Sequence, residues 1–178
     1  IHGLLEANDV LSTISAFQAM GVSISRHPEG KCRIVGVGLR GLRAPESDLD
    51  LGNSGTSMRL LCGVLAGQTF RSTLTGDQSL LARPMERVTT PLEKMGASIR
   101  VSAGGVAPLD IEPVPQLNGM DYRMPIASAQ VKSAILLAGL YAWNRTIIRE
   151  EVATRDHTER MLEGFGYPLD RHAGHTVL

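Results

Sequence analysis

The chain has 178 residues, 43% of them hydrophobic, which is enough to bury a core in one domain or two small ones. Aromatic residues make up only 4%, and 18 basic residues balance 18 acidic ones to a formal net charge of zero. That composition argues against nucleic acid or an anionic membrane as the dominant partner, since it supplies neither a basic face nor stacking platforms.

The core is therefore expected to be aliphatic. Three of the basic residues, Lys31, Lys94 and Lys132, are lysine and the rest arginine. Arginine suits phosphate and carboxylate recognition, although genomic base composition produces the same bias. Cys32 and Cys62 form no CxxC pattern and read as buried free thiols of a reducing, cytoplasmic compartment. No apolar run reaches the ~18 residues of a membrane span, and no signal segment is visible.

In chain order, Gly3-Leu4-Leu5 is expected to run straight into an amphipathic helix from Asn8 that Gly21 closes. Asp9 lies at its start, where a carboxylate favours the helix dipole or caps the helix. Lys31 to Val35 alternates polar and apolar residues and predicts a strand. Gly36-Val37-Gly38-Leu39-Arg40-Gly41 matches G-x-G-x-x-G, but Pro45 and polar residues follow where a dinucleotide site needs a helix. It reads as a glycine-rich turn.

Leu51-Gly52-Asn53-Ser54-Gly55-Thr56-Ser57-Met58-Arg59 places small residues before an apolar helix-like stretch. Small residues uncover backbone N–H groups, and a helix N-terminus favours an anion. Arg59 and Arg83 are the charges nearest to hand. An ordinary strand-to-helix turn capped by Asn53 or Ser54 reads the same residues equally well. Strands are expected at Phe70 to Leu74, Ser98 to Val101, Leu109 to Glu112 and Thr146 to Arg149. Pro84 is placed in the first turn of the next helix, and Pro91 is expected to kink that helix or end a first segment. Gly96 closes it.

Ser128-Ala129-Gln130-Val131-Lys132 repeats the arrangement around Asn53, with a hydroxyl and an amide opening a very apolar helix. Lys132 on the next turn adds a charge to the site or serves structure. Arg155-Asp156-His157-Thr158-Glu159-Arg160 reads as a charged first helical turn, with Arg155 positioned to meet a phosphate and Asp156 as a cap. His172 and His175 lack the ligand set of a metal site and read as surface histidines. The chain ends on Thr176-Val177-Leu178, read as lying within a strand, and begins on Ile1. Both ends suggest a piece of a longer protein.

Three Gly-closed helices recur, with Gly21 and Gly96 75 positions apart and Gly96 and Gly166 70 apart. Asn53 and Ser128, each opening a second helix, are also 75 apart. Two helices at one spacing indicate a unit of two helices and several strands, used about two and a half times. The expected division is 1–75, 76–150 and 151–178 within a single α/β lobe. On this arithmetic Ser128 matches Asn53, and Gln130 matches Gly55.

Four stretches taken together resemble the 5-enolpyruvylshikimate-3-phosphate synthases, or 3-phosphoshikimate 1-carboxyvinyltransferases. They are Leu51 to Arg59, Gly76-Asp77 with Arg83-Pro84-Met85, Ser128 to Ala134, and Arg155 to Leu162. They occur in order, with family-like spacing, over nearly the whole chain. The resemblance implies a fold of two lobes, each with three βαβαββ units forming an inside-out α/β barrel. It also implies transfer of the enolpyruvyl group of phosphoenolpyruvate to the 5-hydroxyl of shikimate 3-phosphate, in aromatic amino-acid biosynthesis, with no cofactor and no metal. By motif, Gly55, Arg83, Gln130 and Asn53 bind phosphoenolpyruvate, in the pocket that also takes glyphosate. Ser128, Ala129, Gln130 and Arg155 hold shikimate 3-phosphate. Asp9 is assigned to the rim, and Arg59 to support of its loop.

The sequence also departs from the family. The usual Lys-Ser-x-x-x-Arg segment would lie before Ile1, and the second lobe, with a catalytic Asp, would lie after Leu178. No catalytic residue is therefore assigned here, and the lobe alone is expected to be inactive. Leu81-Ala82 precedes Arg83 where many relatives carry a charged residue. The related UDP-N-acetylglucosamine enolpyruvyl transferases carry a reactive Cys in the stretch that here reads Gly76 to Arg83, and this stretch has none. A catalytically silent phosphometabolite-binding domain is the remaining alternative.

Overall fold

The computed structural model describes residues 1–172 and 174–178. Helix α1 (Asn8–Ala19) is followed by the antiparallel hairpin of β1 (Ser23–His27) and β2 (Lys31–Val35). Residues 1–5 do not run straight into α1. They lie beside the hairpin, with Leu4 N donating to Gly30 O and Cys32 N to Ile1 O. The chain then passes through β3 (Leu49–Asp50), α2 (Gly55–Ala66), β4 (Ser72–Thr75), the short α3 (Gln78–Leu81) and α4 (Glu86–Lys94). The hairpin of β5 (Ser98–Ser102) and β6 (Val106–Glu112) follows. Next come β7 (Leu117–Asn118), β8 (Asp121–Arg123), α5 (Ala129–Gly139), β9 (Ala142–Trp143) and β10 (Ile147–Arg149). Finally come α6 (His157–Gly164), β11 (Asp170–His172) and β12 (His175–Val177).

The three expected glycine stops share one geometry. Gly21, Gly96 and Gly166 have φ of 87°, 94° and 82°, the left-handed region that L side chains avoid. Each follows a helix and precedes a hairpin. Pro84 lies two residues before α4, in a bridge with Val106, rather than in the helix's first turn. The helix continues through Pro91 to Lys94 instead of ending there.

Two four-stranded sheets have the same plan. One runs β3-β4-β6-β5 and the other β8-β10-β12-β11. In each, the first two strands are parallel and joined by a crossover helix, α2 or α5, while the remaining pairs are antiparallel. A parallel pair requires such a crossover, and a hairpin closes the other half. The order β3-α2-β4-α4-β5-β6 thus recurs as β8-α5-β10-α6-β11-β12. This phasing differs from the division at 75 and 150: each sheet takes strands from both sides of a boundary. The preceding α1-β1-β2 has the order that ends the other two.

The core is aliphatic, as composition requires. Met58, Leu65, Leu74, Leu92, Leu109, Ile111, Ile135 and Ile148 are all almost wholly buried. Each such side chain contributes about 1.5–3 kcal/mol of transfer free energy. α2 and α5 pack with backbones nearly touching: a Cβ on Gly63 would lie 2.1 Å from the Ala134 carbonyl oxygen. Their first turns therefore lie side by side at one end of the lobe. Cys32 and Cys62 are buried and free, and burial pushes the Cys62 thiol up to about 12. Among the described residues, no helix is long and apolar enough to cross a membrane.

Candidate functional site

The first turn of α2 is built from short hydroxyl side chains. Ser54 caps the helix by accepting from Ser57 N at 3.2 Å. Ser57 Oγ lies 2.6 Å from both Ser54 Oγ and Thr13 Oγ1, which ties α1 to α2 and brings Asn8 and Asp9 to the rim. Asp9 does not cap α1, which starts from Ala7 without a side-chain cap. The backbone N–H groups of this turn are largely engaged: Ser54 N donates to Leu51 O, and Gly55 N to Asn53 O. Positive charge at the site therefore comes from guanidinium groups more than from uncovered peptides.

Arg59 reaches back along its own helix. Its Nη1 donates to Gly55 O at 3.1 Å and its Nη2 to Pro84 O at 3.2 Å. Burial, followed by the charge of Arg83, lowers its pKa. The other guanidinium, on Arg83, donates through Nη2 to Asn53 Oδ1. Asn53 Nδ2 donates to both Asp77 oxygens, at 2.8 and 3.0 Å. Asp77 also caps α3 by accepting from Leu80 N, and α3 leads directly to Arg83. Hydrogen bonds from Asn53 and then from the α3 backbone hold the Asp77 carboxyl below its usual range. Gly55 sits between the two arginines: a Cβ there would lie 2.8 Å from Arg59 Nη1 and 2.9 Å from Arg83 Nη1.

At α5, Ser128 caps the helix by accepting from Val131 N, and Gln130 Nε2 donates to Thr56 Oγ1 at 2.8 Å. The two helix starts are thus joined side chain to side chain. They align one residue differently from the 75-residue arithmetic. Ser128 matches Ser54, Ala129 matches Gly55, and Gln130 matches Thr56.

Asp9, Asn53, Gly55, Arg59, Arg83 and Gln130 line one open cleft of about 410 Å³, with Asn8, Ser54 and Thr56. Ala129, Gln130 and Arg155 line an adjoining hollow of about 150 Å³, and Thr56 and Gln130 belong to both. Ser128 lies outside both, on an apolar hollow with Tyr122, Met124 and Ile126. Lys132 is not at the cleft. It is buried, with Nζ 2.9 Å from Glu150 Oε2 and 2.7 Å from Glu159 Oε1. Asp156 occupies the N-cap position of α6 but makes no cap; its carboxylate binds Arg160 and Arg171.

Gly36 to Gly41 forms a turn after β2 with no helix behind it, and a Cβ on Gly41 would meet the Val37 carbonyl oxygen at 2.0 Å. His172 pairs with Asp170 and lies 5.0 Å, ring to ring, from His175. Among the described residues no group of three or more His, Cys, Asp or Glu is arranged to hold a metal. Two guanidinium groups, an amide and hydroxyls converge on one opening, a set of donors suited to an anion, with the Asp9 carboxylate at its border. Sequence reasoning did not single out Thr56 or Asp77 for this site. The spacing from Asp77 to Leu80 is that of a helix cap, which is the signal that could have found it.

The family model for EPSP synthase (3-phosphoshikimate 1-carboxyvinyltransferase) matches residues 1–178. A relative from Alkalilimnicola ehrlichii named 3-phosphoshikimate 1-carboxyvinyltransferase is 60% identical over 177 residues, covering 99% of this chain and 40% of that protein. One of the same name from Methylococcus capsulatus is 61% identical, covering 96% of this chain and 39% of that protein. The solved EPSP synthase of Acinetobacter baumannii superposes with a TM-score of 0.97 at 52% identity, over 99% of this chain and 40% of that one. The chain therefore spans about 40% of the length of the relatives it matches. With that coverage and a shared α/β fold, the chain belongs to the EPSP synthase family.

Proposed function

We propose that the full-length enzyme containing this lobe transfers the enolpyruvyl group of phosphoenolpyruvate to the 5-hydroxyl of shikimate 3-phosphate and releases phosphate. The observation that carries this reading is the bond from Gln130 to Thr56, which joins two helix starts across a cleft holding Arg59 and Arg83. Both substrates are anionic, and this cleft concentrates positive charge and directional donors.

In this reading Arg83, oriented by Asn53, grips an anionic group of phosphoenolpyruvate beside Gly55. Gln130 lies between the two substrates. Ala129 and Arg155 face the phosphate of shikimate 3-phosphate in the adjoining hollow, and Ser128 supports them by starting α5. Asp9 borders the cleft, and Arg59 holds its floor. The 5-hydroxyl adds to C2 of phosphoenolpyruvate while a proton is delivered to C3, giving a tetrahedral ketal phosphate. Loss of phosphate and of a C3 proton then restores the C2–C3 double bond and gives the enol ether product. Residues of this lobe bind and orient, placing the reacting groups at high effective concentration and neutralising phosphate charge. The proton-transferring groups come from a second lobe, so this lobe alone does not turn over. The reaction belongs in the cytoplasm with soluble aromatic amino-acid biosynthesis.

Phosphate release by the full-length enzyme, measured with phosphoenolpyruvate and either shikimate 3-phosphate or UDP-N-acetylglucosamine, tests this. Turnover with shikimate 3-phosphate alone is expected. Turnover with the nucleotide sugar, or with neither, overturns the reading.

A further inference from the structure

Lys132 is 1% exposed, and its side chain points away from the anion cleft into an ionic cluster. An ammonium so deeply buried is costly unless paired, so its partners are informative. Glu150 directly follows β10, and Glu159 lies in the first turn of α6. Between them runs the segment that carries Arg155.

α5 holds that segment at three points, through Lys132 twice and Ser133 once, while Glu151 pairs with Arg123 and Asp156 with Arg171. Glu150 Oε1 accepts from Thr154 N at 3.1 Å and from Thr154 Oγ1, fixing the residue before Arg155. Thr158 Oγ1 donates to Ser133 Oγ at 2.7 Å, fixing α6 three residues after it. Lys132 pairs with both glutamates. Glu159 Oε2 is buried with no hydrogen-bond partner among the described residues, so Lys132 is that carboxylate's close counter-ion. Arg155 is itself exposed and borders the hollow shared with Gln130.

We infer that Lys132 is a positioning residue for Arg155: it locks the segment from Glu150 to Glu159 onto α5, so that Arg155 faces the same phosphate as Ala129 and Gln130. This rests on the reading of Arg155 as a shikimate 3-phosphate contact. Removing the ammonium leaves two carboxylates facing each other across the gap, and their repulsion moves the segment. Among the described residues Arg155 makes no ion pair with Glu150 or Glu159, so the cluster acts on it through the position of the segment.

The test is a double-mutant cycle in the full-length enzyme with Lys132→Met, Arg155→Ala and both, following KM for each substrate. Arg155→Ala is expected to raise the shikimate 3-phosphate KM about tenfold, as loss of a charged hydrogen bond does. Lys132→Met is expected to raise it about fivefold with little change for phosphoenolpyruvate, and to add almost nothing once Arg155 is Ala. Where Lys132→Met does not fold, Glu150→Gln, which keeps the buried pair of Lys132 with Glu159, is put through the same cycle. Additive effects, or equal losses for both substrates, overturn the inference while leaving Arg155 as a contact. No change on Arg155→Ala overturns the substrate reading of Arg155 and the inference with it.

Discussion

Asn53 Nδ2 lies 2.8 and 3.0 Å from the two carboxylate oxygens of Asp77. That bond decides which way the amide faces, because it leaves Oδ1 as the acceptor for Arg83. A carboxylate outside the cleft thus orients the cation inside it. Asp77→Asn can satisfy the amide the wrong way round, and it is expected to raise the phosphoenolpyruvate KM of the full-length enzyme severalfold. Arg83→Ala is expected to raise it at least tenfold, from the ~1.5–3 kcal/mol of a charged hydrogen bond. Steady-state kinetics check both, and an unchanged KM for Arg83→Ala ends its assignment.

Gly55→Ala is expected to act through the arginines. Its methyl would meet Arg59 Nη1 at 2.8 Å and Arg83 Nη1 at 2.9 Å, both flexible side-chain ends. The protein should fold normally with the guanidinium groups displaced into the cleft. Glyphosate, one bond longer than phosphoenolpyruvate between phosphorus and carboxyl carbon, should lose more affinity. Paired inhibition and KM measurements decide this, and equal losses argue against crowding.

Gly63→Ala addresses packing. Its Cβ would sit 2.1 Å from Ala134 O, a rigid backbone atom, so α2 and α5 must separate. Overpacking of this kind costs about 1–3 kcal/mol. Denaturant unfolding should show that loss. Because the same two helices carry Thr56 and Gln130, substrate KM should rise as well.

Asp156 sets a pH dependence. Arg171, and then Arg160, hold its carboxyl at about 2 in the folded protein. Its unfolded value is about 3.9. A depressed folded pKa stabilises where the group is ionised, so the contribution is present above about pH 4 and fades as pH falls toward 2. A carboxyl-carbon NMR titration should place the Asp156 midpoint near 2. The melting-temperature difference between wild type and Asp156→Asn should narrow across the same interval.

Helix and strand identity were legible because they depend on local spacing. The glycine stops at 21, 96 and 166, the hydroxyl caps before α2 and α5, and the alternation in β2 and β5 each follow from backbone preferences within a few residues. Pro91 does not end its helix, because a helix tolerates proline when packing supports it, and Pro91 is buried in α4. The one-residue shift between the repeat arithmetic and the aligned caps has a similar origin. Loops absorb insertions at little cost, so glycine stops and helix starts need not keep one period.

The amino-acid sequence by itself determined an aliphatic α/β lobe with two capped helix starts and nearby arginines, since composition and periodicity act locally. Three-dimensional packing alone determined that Gln130 meets Thr56 across 74 positions, that Asp77 orients Asn53, and that Lys132 turns inward to two glutamates. Those pairings depend on how α2 and α5 cross and how the sheets bring distant strands together. Side-chain spacing along the chain carries no record of such distances.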